Sequence, residues 1–195
     1  YAQRRALGAF VLLQDGVPKA YHGLSLFAAV HGRQRKAEGR FANARAMLEA
    51  NVDPDVPYLN SSSGLVMTPL LHSCKEGDSP AVEFLLEAGA NKKVPLQTIV
   101  NPITPLMVAC AYGRTRCVEL LLDSGVDTHT VAHAENASEC TIDGESALNF
   151  ALEASVGMNV LNSLSSQVKD GKDDLIDKAG ARACAMMILL KHQRE

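Results

Sequence analysis

The chain has 195 residues, of which 47% are hydrophobic and 21% charged, so it can bury a core and is not a wholly disordered protein. Its net charge of −3, from 19 basic and 22 acidic residues, provides no global field that would attract nucleic acid or an anionic membrane. The absence of Trp and an aromatic content of 5% argue against a β-sandwich or barrel and favour helices packed on helices.

The first elements in chain order are weakly marked. Residues 3–13 have the pattern of the second helix of a helix pair, with a cap at Gly16, and the segment LSLFAAV around Leu26 predicts the first helix of the next pair. The segment AMLEANVD at 46–53 predicts a helix that ends at Asn51, because Asn best replaces Gly in the left-handed conformation.

Two central segments carry the strongest signal. Residues 68–91 read TPLLHSCKEGDSPAVEFLLEAGAN, and residues 104–127 read TPLMVACAYGRTRCVELLLDSGVD, so the two windows match without a gap at a distance of 36 positions. Thr-Pro favours a helix start, because the Thr hydroxyl can cap free backbone N–H groups and Pro has no N–H to leave unpaired. The match predicts a repeated structural unit.

Each central unit reads as a pair of helices. The first helix begins at Pro69 or Pro105 and breaks at Gly77 or Gly113. The second helix has an apolar face and ends at a left-handed glycine, for which Gly has no Cβ penalty. Its landmarks are Val82, Leu85, Leu86 and Gly89 in one unit and Val118, Leu121, Leu122 and Gly125 in the other.

The last pair is interrupted by an insertion. The segment SALNFAL around Leu148 predicts a first helix, and AMMILLKH at 185–192 predicts the second. The first-helix leucine and the second-helix leucine pair are 15 residues apart in both central units but 41 apart here, so about 26 extra residues are expected at 155–180, partly mobile. The first pair needs about six extra residues near GRQRKAEGR.

At these residues the chain resembles the ankyrin-repeat family, whose pattern is roughly a Gly, one residue, TPLHxA, a Gly, two apolar pairs and a GAD-type turn. The resemblance implies an all-α fold, an ankyrin-type solenoid of stacked antiparallel helix pairs with β-hairpin-like loops. It implies one domain over 1–195, with a partial repeat at 1–22 and repeats at 23–54, 55–91, 92–127 and 128–195. Leu71 and Met107 stand where the family has His, so the hydrogen bonds of that His to the preceding turn are in question.

The resemblance also implies a function, that of a non-catalytic module that binds a partner protein or peptide on a concave face of loops and first helices. We expect binding residues at exposed positions on either side of the TPL motifs, with Tyr112 as the best single anchor because Tyr offers large amphipathic area at little entropy cost. An ordinary surface role for each residue stays open. The candidates are His31, Val66, Met67, Lys75, Glu76, Pro102, Ile103, Ala111, Tyr112, Gly144, Glu145 and Glu153.

Further expectations concern the setting of the chain. Five cysteines without a CxxC pair indicate reduced thiols in an intracellular protein, cytoplasmic or nuclear. No apolar run approaches the roughly 20 residues needed to cross a bilayer. We expect no cofactor, no nucleic-acid partner, no membrane insertion and a monomeric fragment. Both ends look cut, so an alternative is the regulatory or substrate-recruiting domain of a larger enzyme or channel.

Three other motifs could form functional sites, but a structural interpretation is preferred for each of them. His129 and His133, at helical spacing, could bind zinc with Cys140, but a solvated loop is preferred. The basic segment that ends at Arg40 could contact phosphate or address the nucleus, and here too a solvated loop is preferred. Ser79 in GDSP falls in the turn between two helices, without the elements of a hydrolase site.

Overall fold

The computed structural model describes residues 26–31, 39–59, 66–93, 100–101, 103–134, 145–157 and 176–194. The partial repeat at 1–22 with Gly16, the loop residues Pro102 and Gly144, and most of the 155–180 insertion lie outside the described residues.

The described residues form helices linked by short strands. A helical segment at 26–31 comes first. The helices that follow are α1 (Ala42–Glu49), α2 (Pro69–Glu76), α3 (Ser79–Glu87), α4 (Pro105–Ala111), α5 (Thr115–Asp123), α6 (Ala147–Val156) and α7 (Lys178–His192). The strands are β1 (Tyr58–Leu59), β2 (Val66–Met67), β3 (Val100–Asn101) and β4 (His133–Ala134).

The helices stack in two layers. The first helices α2, α4 and α6 pack against one another in one layer, and the second helices α3, α5 and α7 do so in the other. Within each pair, α2 packs on α3, α4 on α5 and α6 on α7. This translational arrangement confirms the predicted solenoid of helix pairs.

Short antiparallel strands connect the pairs. In one ladder β1 and β2 place Tyr58 opposite Met67, and in the other β3 and β4 place Val100 opposite Ala134. The second ladder joins the loops that precede α4 and α6, so neighbouring repeats are also linked through their backbones. The predicted β-hairpin-like loops are therefore present.

The predicted helix starts and ends in the two central repeats are confirmed. Helices α2 and α4 begin with their prolines, and the hydroxyls of Thr68 and Thr104 each accept a hydrogen bond, at 3.3 Å, from the backbone N–H three residues on. The predicted glycines after the helices have positive φ, and Asn51 adopts the same conformation at φ 62°. Asn51 is the only non-glycine residue in the described segments with positive φ.

The replacement of the family's His has a visible effect at Met107. Leu71 and Met107 are fully buried. The Met107 sulfur accepts a hydrogen bond from Thr104 N at 3.4 Å, so a weak thioether acceptor closes the start of α4.

The last helix corrects two details of the sequence interpretation. Helix α7 begins at Lys178, seven residues before the predicted segment, because Asp177 caps it by accepting a hydrogen bond from Gly180 N at 2.9 Å. Ile188 is fully buried, whereas Leu189 and Leu190 are 41% and 48% exposed. Ile188 therefore takes the inner position that the sequence alignment gave to Leu189.

A glycine contact fixes how α7 sits on the preceding repeat. A Cβ on Gly113 would lie 2.1 Å from the Asp177 carbonyl oxygen, and one on Gly180 would lie 2.2 Å from the Gly113 carbonyl oxygen. The first turn of α7 therefore rests on the turn that follows α4, and neither position has room for a side chain.

Two glycine substitutions separate backbone strain from this contact. Gly89 has φ 82°, and no atom of a described residue lies within 4 Å of the place that a Cβ would occupy, so Gly89→Ala is expected to cost about 1–2 kcal/mol of stability. Gly113→Ala adds a backbone clash to the same strain and is expected to cost about 3–5 kcal/mol. Urea unfolding measures both, with the exposed Glu87→Ala as control. Equal costs for the two glycines would contradict the contact with α7.

Candidate partner-binding face

The first helices and their loops define the candidate surface. We call the surface formed by the helical segment 26–31, α2, α6 and the described loop residues Val66 and Glu145 the first-helix face. Among the predicted residues, Glu76 is exposed. Partly exposed are His31, Val66, Lys75, Glu145 and Glu153.

The predicted exposure is wrong for four candidates. The exposed fractions are 3% for Met67, 0% for Ile103, 0% for Ala111 and 5% for Tyr112. Every residue of α4 is buried, because α2, α5, α6 and α7 all contact this helix. Helix α4 therefore offers no exposed side chain to a partner.

Tyr112 is a structural residue in this arrangement. Its carbonyl accepts a hydrogen bond from Asp177 N at 3.4 Å, and the Lys75 ammonium lies 5.7 Å from the centre of its ring. The first turn of α7 and the end of α2 both approach Tyr112. The expected anchor is thus buried between repeats.

An aromatic–histidine cluster lies at the other end of the first-helix face, formed by Phe27, His31, Tyr58 and His72. The Phe27 ring stacks on Tyr58, with centroids 4.1 Å apart, and meets His72 edge-on at 4.7 Å. The His31 and His72 rings are 4.6 Å apart. The cluster links the helical segment 26–31 to α2 and β1.

A polar network extends from this cluster. His31 Nε2 lies 3.3 Å from Ser73 Oγ, and His31 Nδ1 lies 3.8 Å from an Asp78 carboxylate oxygen that also pairs with Arg40. In space, His31 lies between Ser73 and Asp78, as the histidine of a hydrolytic triad lies between its serine and its aspartate. Ser73, however, is fully buried, and its hydroxyl donates to the Pro69 carbonyl at 2.8 Å. We therefore interpret the network as structural. Arg40, expected in a solvated loop, instead pairs with Asp78.

Charges in the cluster are strongly perturbed. Burial, and then the nearby His31 and Lys75, lower the pKa of His72 to about 4, so its ring is neutral at pH 7. Although burial opposes it, hydrogen bonds from His31 and Arg40 hold the pKa of Asp78 far below its usual range. His72 Nδ1 is buried and has no hydrogen-bond partner in the described part of the chain.

The sequence analysis missed His72. It follows Leu71, which occupies the family's His position, so a histidine displaced by one residue was the available signal.

Glu145 and Glu153 form an acidic pair on the opposite end of the face. Burial, and then the negative charge of Glu145, raise the pKa of Glu153. One carboxylate oxygen of each residue is buried and accepts no hydrogen bond from a described residue. Two acceptor groups that lack donors in the described segments can receive an Arg or Lys side chain from another molecule.

Two shallow grooves lie away from these groups. One, of about 290 Å³, lies between α1 and α3 and contains Phe84, whose ring stacks on Phe41 at 4.6 Å. The other, of about 240 Å³, lies beside the start of α4 and contains Lys92 and Lys93. Neither groove includes a predicted binding residue.

The metal and thiol interpretations can be compared with the structure. The described residues contain no group of three or more His, Cys, Asp or Glu side chains that could hold a metal ion. His129 lies in a loop and is exposed, as preferred in the sequence analysis, and His133 lies in β4, so the two residues do not share a helical face. His129 instead stacks on His192 at 4.4 Å. Cys74, Cys110, Cys117 and Cys184 are free, as predicted, and the structure shows that all four are buried.

Comparisons with known proteins agree with the repeat pattern. A family model described as ankyrin repeats (3 copies) matches residues 36–132 and 70–173, which together cover more than half of the chain. No curated protein matches the chain at a significant level. In the described segments, no helix is long and apolar enough to cross a membrane.

The neutral His72 predicts a pH dependence of stability. The pKa of His72 is about 4 in the fold, whereas its ordinary value is 6.5. The contribution of His72 to the free energy of unfolding is therefore complete above pH 6.5 and is lost as the pH falls toward 4. The loss amounts to at most about 3 kcal/mol. Denaturant unfolding at pH 7 and pH 4.5 measures this loss as the change in the free energy of unfolding. In His72→Gln this change is expected to be smaller. His129→Gln, outside the cluster, should show the wild-type change between the two pH values. A wild-type change in His72→Gln would refute the role of His72 in this pH dependence.

Proposed function

The chain belongs to the ankyrin-repeat family, and from this premise we propose that it binds a partner protein or peptide on its first-helix face. Ankyrin repeats are generally protein–protein interaction modules, and such domains are typically non-catalytic. The binding face and the nature of the partner are the parts that we propose.

The acidic pair carries this proposal. A buried carboxylate oxygen without a donor costs free energy, and two like charges beside each other add to that cost. A guanidinium or ammonium group from a partner would supply the donors and the opposite charge. Glu145 and Glu153 are therefore arranged to receive a basic residue.

The rest of the face favours a partner of mixed character. His72, Lys75 and Glu76 on α2 offer aromatic, basic and acidic groups. Helix α4 lies between α2 and α6. Because neighbouring helices are about 8–10 Å apart, the polar residues of α2 and the acidic pair at α6 are separated by about 20 Å. An extended segment of about six residues spans this distance. We propose that the partner places a basic residue at α6 and a polar or aromatic residue at α2.

The proposal includes the organisation of the chain. We propose one ankyrin domain with a partial repeat at 1–22 and repeats at 23–54, 55–91, 92–127 and 128–195. We also propose that it acts as a monomer in the cytoplasm. The helix pairs α2–α3, α4–α5 and α6–α7 each fall within one of these repeats, which supports the last three boundaries.

Neutralising the acidic pair should weaken binding while it relieves repulsion. The double variant Glu145→Gln/Glu153→Gln is expected to be as stable as the wild type or more stable, by up to about 1 kcal/mol. In affinity capture from a cell extract with quantitative mass spectrometry, it should recover at least tenfold less of the specific partners.

The matched control is Glu83→Gln/Glu87→Gln on α3, where both residues are exposed on the second-helix layer. It removes the same charge and should leave capture unchanged. Equal loss of capture in both variants would indicate an effect of net charge alone and would contradict the proposed face.

A further inference from the structure

The last helix pair exposes a group of large apolar side chains. Leu152 and Val156 on α6 are 50% and 68% exposed, and Met186, Leu189 and Leu190 on α7 are 58%, 41% and 48% exposed. Both helices pack on the preceding repeat through their other sides, where Phe150 and Ile188 are fully buried. We call the surface formed by these five side chains the end face.

The end face continues the interface that joins one repeat to the next. Cys74, Cys110 and Leu152 occupy the same position, four residues after the leucine that opens each first helix. Cys74 and Cys110 are fully buried, and Cys110 neighbours Cys184 of the following repeat. Leu152 is half exposed at the equivalent place. The contrast indicates that the end face corresponds to a repeat-to-repeat surface that the described residues leave uncovered.

The size of the end face favours a single helix as occupant. The five side chains are 41–68% exposed, so together they present apolar surface on the order of a few hundred Å², in the range of functional patches on monomers. A stable protein–protein interface buries about 800 Å² on each partner. A second copy of the chain would therefore be held by about half the usual area, whereas one amphipathic helix is a closer match.

Charge at the edge of the end face indicates the chemistry of that helix. Residues 177–194 contain four basic side chains and one acidic, Asp177, which is engaged as the cap of α7. Arg182 precedes Met186 by one helical turn, and the Lys178 ammonium lies 2.6 Å from where a Cβ on Gly157 would be, next to Val156. The α7 edge is thus positive, which disfavours contact between two such edges and favours acidic residues.

We propose that the end face binds an amphipathic helix of a partner protein, with its apolar stripe on Leu152, Met186 and Leu190 and acidic residues beside Lys178 and Arg182. The end face shares α6 with the first-helix face, but it uses Leu152 and Val156 of that helix and not Glu153, so the inference does not depend on the function proposed above.

The test uses the 195-residue chain and two labelled synthetic peptides of 18 residues. Both peptides carry the same Leu/Ala stripe at i, i+3, i+4 and i+7, flanked by Glu in one and by Lys in the other. In fluorescence anisotropy the Glu peptide should bind at least tenfold more tightly than the Lys peptide, and its affinity should fall with added salt.

Variants locate the binding site. Met186→Glu and Arg182→Glu should each weaken the Glu peptide at least tenfold, and because both side chains are exposed, circular dichroism should show an unchanged fold. Leu59→Glu, at a 65% exposed leucine on β1, is the matched control and should bind normally.

Three results would overturn the proposal. Equal binding of the two peptides would contradict the preference for acidic residues. An equal loss of binding in Leu59→Glu would contradict the placement of the site on the end face. Self-association in sedimentation that Met186→Glu abolishes, and that the Glu peptide does not compete with, would show that a second copy is the occupant.

Discussion

Close approach between successive helix pairs is the constraint on which the rest of this structure depends. The backbone of Asp177 rests on Gly113, and the backbone of Gly113 rests on Gly180. At this separation no side chain fits between the two repeats, and the residues that line the joint elsewhere are small, such as Cys110 and Cys184. This contact fixes the position of α7, which is one of the four helices that together bury α4.

The joint between the first two repeats is built differently. There the rings of Phe27, His31 and His72 fill the space, and Asp78 receives His31 and Arg40 at its edge. The stability of this aromatic and charged interface depends on protonation, whereas that of the interface built from glycine and cysteine depends on close packing. The two ends of one solenoid therefore respond to different conditions.

The sequence predicted what happens within a repeat better than what happens between repeats. Helix starts at Pro69 and Pro105 and the left-handed Asn51 follow from local chemistry, and all three were recognised. The burial of Tyr112 depends on Asp177, 65 residues later and beyond an insertion, and no periodic pattern contains that contact. The predicted exposure of Ala111 is wrong for the same reason, because exposure on a first helix is decided by its neighbours in space.

The four buried thiols have a practical consequence. Cys74, Cys110, Cys117 and Cys184 lie on four different helices, α2, α4, α5 and α7, and all are 0% or 1% exposed. An alkylating reagent can reach each of them only when the surrounding helices separate. The order in which these four sites become labelled would thus record which joint of the stack opens first, without any engineered probe.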